Sequence, residues 1–118
     1  MSYDIDLTHP VTGEVLQIDE LHQMKGGTYC LGGMTEASLN ITWNYGSRYR
    51  AAFGDEGIRT IYGMTGAESL PVLKTAADQL GDDRDDDYWK PTEGNAKAAL
   101  LQLITLATLR PDGIWRGD

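Results

Sequence analysis

The chain has 118 residues, 41% apolar and 24% charged, with ten lysines and arginines against eighteen aspartates and glutamates and a formal net charge of −8. That size suits one domain, residues 1–118, burying about two-thirds of its unfolded surface, while the charge argues against direct nucleic-acid binding, which needs cations facing phosphates. A single cysteine, Cys30, excludes an internal disulfide, and no apolar run reaches the ~20 residues that span a bilayer.

The lone thiol and the lack of a basic, apolar leader predict a cytoplasmic protein away from membranes. At the start, Tyr3, Ile5 and Leu7 alternate with Asp4, Asp6 and Thr8, the period of a half-buried strand. His9-Pro10 and Thr12-Gly13 supply turn chemistry, and Val15 to Ile18 is again extended. A β-hairpin at a sheet edge is the expectation. Gly26-Gly27 and Gly32-Gly33 then bracket a short strand, Thr28–Leu31, with Cys30 as a buried thiol.

"ASLNITWNYGSRYR", Ala37 to Arg50, alternates best. Leu39, Ile41, Trp43 and Tyr45 fall on one side and are predicted inward; Ser38, Asn40, Thr42 and Asn44 fall on the other. Arg48–Phe53 extends this strand or begins the next. Gly54–Gly57 reads as a tight turn, and Ile58–Tyr62 as a further strand.

Thr65 followed by Glu68 is a capping box, and Leu73, Ala76, Ala77 and Leu80 share one helix face. They predict a helix over 66–81, stopped by Gly81. Pro71 favours a later start with Ser69 as the cap, since a proline well inside a helix costs about 3 kcal/mol. Asp82 to Asp87 holds five aspartates and one arginine. A calcium loop counted from Asp83 would need glycine sixth and glutamate twelfth, but Tyr88 and Gly94 stand there. The expectation is a solvated acidic connector; a weak cation site and a surface for a basic partner are the alternatives. Ala96, Ala99, Leu100, Leu103, Ile104 and Ala107 then define the strongest helix, 93–109, with Thr92 as its cap. Arg110 to Gly113 makes a turn, and Ile114 and Trp115 fold back on the body. Strands first and helices second predict an α+β fold: an antiparallel sheet of about four to six strands with two helices packed on one face.

No serine sits in a nucleophile elbow. His9, His22 and Cys30 lack zinc spacing. Gly63 to Gly66 lacks the length and lysine of a phosphate loop. The chain is therefore read as non-enzymatic, with no catalytic residue, no metal ligand and no cofactor. What remains is a candidate ligand site. Arg48, Arg50 and Arg59 can hold negative groups, and Tyr49 and Tyr62, like Trp43 and Tyr45, can stack a flat ring. Asn40, Thr42 and Asn44 can orient it. Thr65 and Gly66 open a helix whose N-terminal amides favour an anion. The competing reading puts the rings in the core, pairs the arginines with carboxylates such as Asp55 and Glu56, and leaves the helix start an ordinary cap.

"GGTY", "LNITWNYG", "GIRTIYGMTGAESLPVL", "DDYWKPTEGNAKAAL" and "RPDGIWRGD" together give the chain a resemblance, from about Thr8 to Asp118, to a group of short phage and prophage proteins with no established activity. The resemblance implies a phage setting, in which small proteins serve host takeover or counter-defence. Two modes follow. One is a homo-oligomeric sponge for a small anionic, nucleotide-like molecule. The other is an acidic inhibitor of a host protein such as a defence nuclease, steered by the Asp82–Asp87 charge.

Overall fold

The computed structural model describes residues 2–22 and 33–118. The strand expected at Thr28–Leu31, the Cys30 thiol and the "GGTY" segment lie outside them. Alternation produces β1, Ser2–Thr8, with Tyr3, Ile5 and Leu7 buried. β1 is the central strand of a three-stranded antiparallel sheet, flanked by β4, Ser38–Thr42, and β5, Ile114–Gly117. A second, two-stranded antiparallel sheet joins β2, Gln17–His22, to β3, Met34–Glu36. The hairpin expected after β1 is brief. Val15 bridges Thr8 and the Leu16 amide donates to the Leu7 carbonyl, and the chain then departs into β2.

Register makes the large sheet two-faced. Tyr3 lies opposite Ile41, Ile5 opposite Leu39, and Leu7 opposite Trp115, all buried. Because side chains alternate along a strand, Asp4, Asp6, Ser38, Asn40 and Arg116 share the other face. Helices cover the apolar face. α1 spans Gly46–Phe53, α2 Gly66–Asp78 and α3 Glu93–Leu109. Leu73 and Ala76 of α2 join Leu100, Leu103 and Leu106 of α3 in one core with the strand residues. Among the described residues no helix is long and apolar enough to cross a membrane. The chain is thus α+β, with five strands in two sheets among the described residues.

Three local expectations are corrected. β4 stops at Thr42, whose hydroxyl accepts from the Asn44 amide and caps a 3-10 turn, Trp43–Tyr45. Trp43 therefore points outward, 41% exposed, while Tyr45 is buried. Arg48–Phe53 is no strand but lies in α1, because Tyr45, Tyr49 and Phe53 recur every four residues and their rings meet edge-on. Ile58–Tyr62 is no strand either. Gly57–Ile61 is a 3-10 turn that buries Ile58 and Ile61, three residues apart.

α2 starts at Gly66 with Thr65 as its cap, not at Ser69, and it ends at Asp78 rather than 81. The Glu68 amide donates to Thr65 Oγ1 at 3.0 Å and the Thr65 amide to Glu68 Oε1 at 2.9 Å. Pro71 is accommodated inside the helix. The Thr65 amide holds the Glu68 carboxyl below its ordinary value. A group depressed on folding stabilises above its unfolded pKa and loses that effect as pH falls through the folded one. The melting-temperature advantage of the wild type over Glu68→Gln should therefore shrink as pH drops through the carboxylate range. An advantage independent of pH would refute this assignment.

Candidate functional site

The polar ladder is held by β1. Ser38 Oγ donates to Asp6, and Asn40 Nδ2 donates to Asp4 and, at 2.8 Å, to Ser2 Oγ. The next positions tie down the connector before α3. The Thr42 amide donates to the Tyr88 hydroxyl at 2.9 Å, and Asn44 Nδ2 donates to the Trp89 carbonyl at 2.8 Å. Tyr45 donates its hydroxyl to the Tyr88 carbonyl. Tyr49 is wholly buried and donates to the Ala96 carbonyl at 3.0 Å, and burial pushes its phenol pKa up. Tyr49 thus ties α1 to α3 and presents no face for stacking.

The helix start at Thr65 and Gly66 is closed by the chain itself. The Gly66 amide donates to the Gly113 carbonyl at 2.8 Å and the Ala67 amide to the Pro111 carbonyl at 3.1 Å. The Glu68 and Ser69 amides are taken by Thr65. A Cβ on Gly66 would lie 2.7 Å from the Arg110 carbonyl oxygen, so the 110–113 turn occupies the space an anion would need.

The three arginines divide. Arg48 and Arg50 are two residues apart on α1, so they project about 200° apart. Arg48 Nε donates to the Pro91 carbonyl at 2.9 Å, on the connector side. Arg50 reaches the other side. Its NH1 and the Tyr3 hydroxyl lie 3.2 and 3.0 Å from where a Cβ on Gly46 would stand. Arg59 joins it there. Its guanidinium carbon sits 5.3 Å from the centre of the Tyr3 ring and 5.5 Å from that of Trp43. Those rings stack, 5.8 Å apart at 29°. Arg59 Nε donates to the Asp118 main-chain oxygen at 3.0 Å, and the Tyr62 hydroxyl meets the same oxygen at 3.4 Å. Burial, reinforced by Asp118, raises the Tyr62 pKa and favours the neutral phenol.

Ion pairs among the described residues join Lys90 to Asp85, Lys97 to Asp82 and Arg110 to Asp112. Arg48, Arg50 and Arg59 are in none of them, and Asp55 and Glu56 do not neutralise them. In a chain of net charge −8 this leaves Arg50, Arg59 and the exposed indole of Trp43 as a local cationic and aromatic surface. It can hold an anion beside a flat ring. Sequence reading missed Tyr3, because only the pairing of β1 with β4 carries it beside Trp43. Among the described residues no group of three histidine, cysteine, aspartate or glutamate side chains is placed to hold a metal ion.

No protein-family model, curated protein or solved structure matches the chain, so the reading of this surface stands on its own geometry.

Proposed function

We propose that this protein binds, without transforming, a small anionic molecule carrying a flat ring, of the nucleotide class. The site is the Arg50–Arg59–Trp43 surface, built on Tyr3. The observation that carries the reading is a pair of arginines, Arg50 and Arg59, in no ion pair with an aspartate or glutamate side chain of the described residues, beside an exposed tryptophan, with Arg59 also donating to the Asp118 main-chain oxygen. The guanidinium groups hold phosphate or carboxylate oxygens, and the indole face takes the ring. The resemblance to phage and prophage proteins supports a sponge that acts in counter-defence within the cytoplasm of an infected host. A homo-oligomer that brings two such surfaces together would enclose the ligand from both sides. Asn40, Thr42, Asn44, Tyr49, Thr65 and Gly66 are engaged in holding the fold.

Native mass spectrometry before and after incubation with a bacterial nucleotide extract tests the reading. A stoichiometric adduct should appear. Arg50→Ala and Arg59→Ala should each weaken it about tenfold or more, the worth of one charged hydrogen bond. Melting should hardly move for Arg50→Ala, whose side chain is exposed, and should fall slightly for Arg59→Ala, which also gives up its bond to Asp118 and its place over Tyr3 and Trp43. Arg48→Ala, on the opposite side of α1, should leave binding intact. Equal binding by Arg50→Ala, Arg59→Ala and the wild type would remove this site.

A further inference from the structure

A different surface lies on the outer side of α3. From Ala98 to Leu109 the helix carries no charged side chain, although charged residues make up 24% of the chain. Leu101 is 49% and Leu109 54% exposed, and Thr105 and Thr108 between them are exposed too. At 100° per residue these four, with Ala98, fall within a sector about 100° wide. The threonine donors are engaged by the helix itself. Thr105 Oγ1 donates to the Leu101 carbonyl at 3.1 Å, and Thr108 Oγ1 to the Ile104 carbonyl at 2.8 Å. An exposed, uncharged helix face of this length is unusual for a surface that meets only water.

Both ends of the stripe open into hollows. At the N-terminal end a groove of about 880 Å³ runs between α3 and the connector, with Tyr88, Ala98, Ala99 and Leu101 in its apolar lining and Asp85 and Asp86 beside Arg84. At the C-terminal end a hollow of about 500 Å³ is lined by Ile18 and Leu109 beside Asp19 and Glu20. Acid dominates both ends. From Asp82 to Lys97 five aspartates and Glu93 stand against Arg84, Lys90 and Lys97, so acid stays in excess even though Lys90 is paired with Asp85 and Lys97 with Asp82. At the far end Arg110 is already taken by Asp112, with two contacts of 3.1 and 2.8 Å.

We infer that the outer face of α3 is a docking surface for another protein's amphipathic helix, apolar along its middle and carrying lysine or arginine at both ends. Charge selects this occupant. A second copy laid along the stripe, parallel or antiparallel, would set acidic ends against acidic ends. An anionic lipid surface would be repelled in the same way. The stripe rises about 16 Å, three turns of helix, more than the ~10 Å over which apolar anchors at i, i+4 and i+7 engage a partner.

The test is selection from a display library of random helical peptides against the whole protein. Enriched peptides should share one apolar face and basic residues at both ends. Leu101→Glu and Leu109→Glu should each weaken them at least tenfold. Both sites are exposed, so melting should be unchanged. Asp86→Asn combined with Glu20→Gln should slow association and flatten its salt dependence. Three outcomes overturn the inference: no enrichment, enriched peptides without basic ends, or peptides that bind Leu101→Glu as well as wild type. Self-association that Leu101→Glu abolishes, seen by sedimentation, would also overturn it and make a second copy the occupant.

Discussion

Replacing Trp115 with alanine should destabilise the protein by about 3–5 kcal/mol, the range for deleting a wholly buried aromatic side chain. Trp115 is among the largest fully buried side chains of the described residues and sits directly opposite Leu7 in the sheet. Its indole Nε1 donates to Ser69 Oγ at 2.7 Å, and that hydroxyl donates onward to the Gly66 carbonyl at 2.8 Å. The main chain around it is engaged as well. The Trp115 amide donates to the Met64 carbonyl, and the Gly63 amide donates to the Trp115 carbonyl. Trp115 thus ties the last strand to the start of α2 through its side chain and to the segment before α2 through its main chain. Trp115→Phe should cost less, about 1–2 kcal/mol, since it keeps an apolar ring and Ser69 retains its bond to Gly66. Denaturant unfolding of both variants decides the matter. Equal, small losses would mean that the indole does not carry the junction.

Trp115 also shows what the sequence makes legible. Alternation in Tyr3–Ile5–Leu7 identifies a strand, and the apolar period of 96–107 identifies α3 at its observed bounds, Glu93–Leu109. The Thr65–Glu68 pair marks the start of α2, because a capping box is a local signal. The region between β4 and α2 misleads because two periods coexist in it. Trp43, Tyr45 and Ile58 fit alternation, but Tyr45, Tyr49 and Phe53 fit a helix equally well. Packing chooses the helix: Tyr49 must reach the Ala96 carbonyl of α3, forty-seven residues away. The candidate site was half legible for the same reason. Arg50, Arg59 and Trp43 are close in sequence, whereas Tyr3 arrives through strand pairing, and the blocking of the Gly66 helix start arrives with the 110–113 turn. Asn95 had no signal. It reads as one polar residue in a helix, yet it is buried and holds the Asp85 amide with its oxygen and the Asp87 and Lys90 carbonyls with its nitrogen. Such a hub is defined by a fold of the connector that no local pattern encodes.

Gly94→Ala should destabilise the protein by about 3 kcal/mol, at the upper end for overpacking, because everything it strikes is backbone. A Cβ at Gly94 would lie 2.5 Å from the Arg84 nitrogen, 2.6 Å from the Asp83 carbonyl carbon and 2.8 Å from that of Asp82. None of these atoms can rotate away as a side-chain tip could. The acidic connector must lift, and its ties would weaken in sequence. The Gly94 amide accepts no strain without losing its 3.2 Å bond to Asp83 Oδ1, and Asn95 follows. Beyond them lie Tyr88 on the Thr42 amide, Trp89 on Asn44 and Pro91 on Arg48. Hydrogen exchange should therefore quicken at Thr42, a residue far from 94 in sequence but held by the connector, while β1 stays protected. The connector also walls the groove beside Leu101, so any helical peptide bound there should be released by the same substitution. An unchanged melting midpoint with Thr42 still protected would show that the connector lies on α3 loosely, and that the close approach at Gly94 does not organise it.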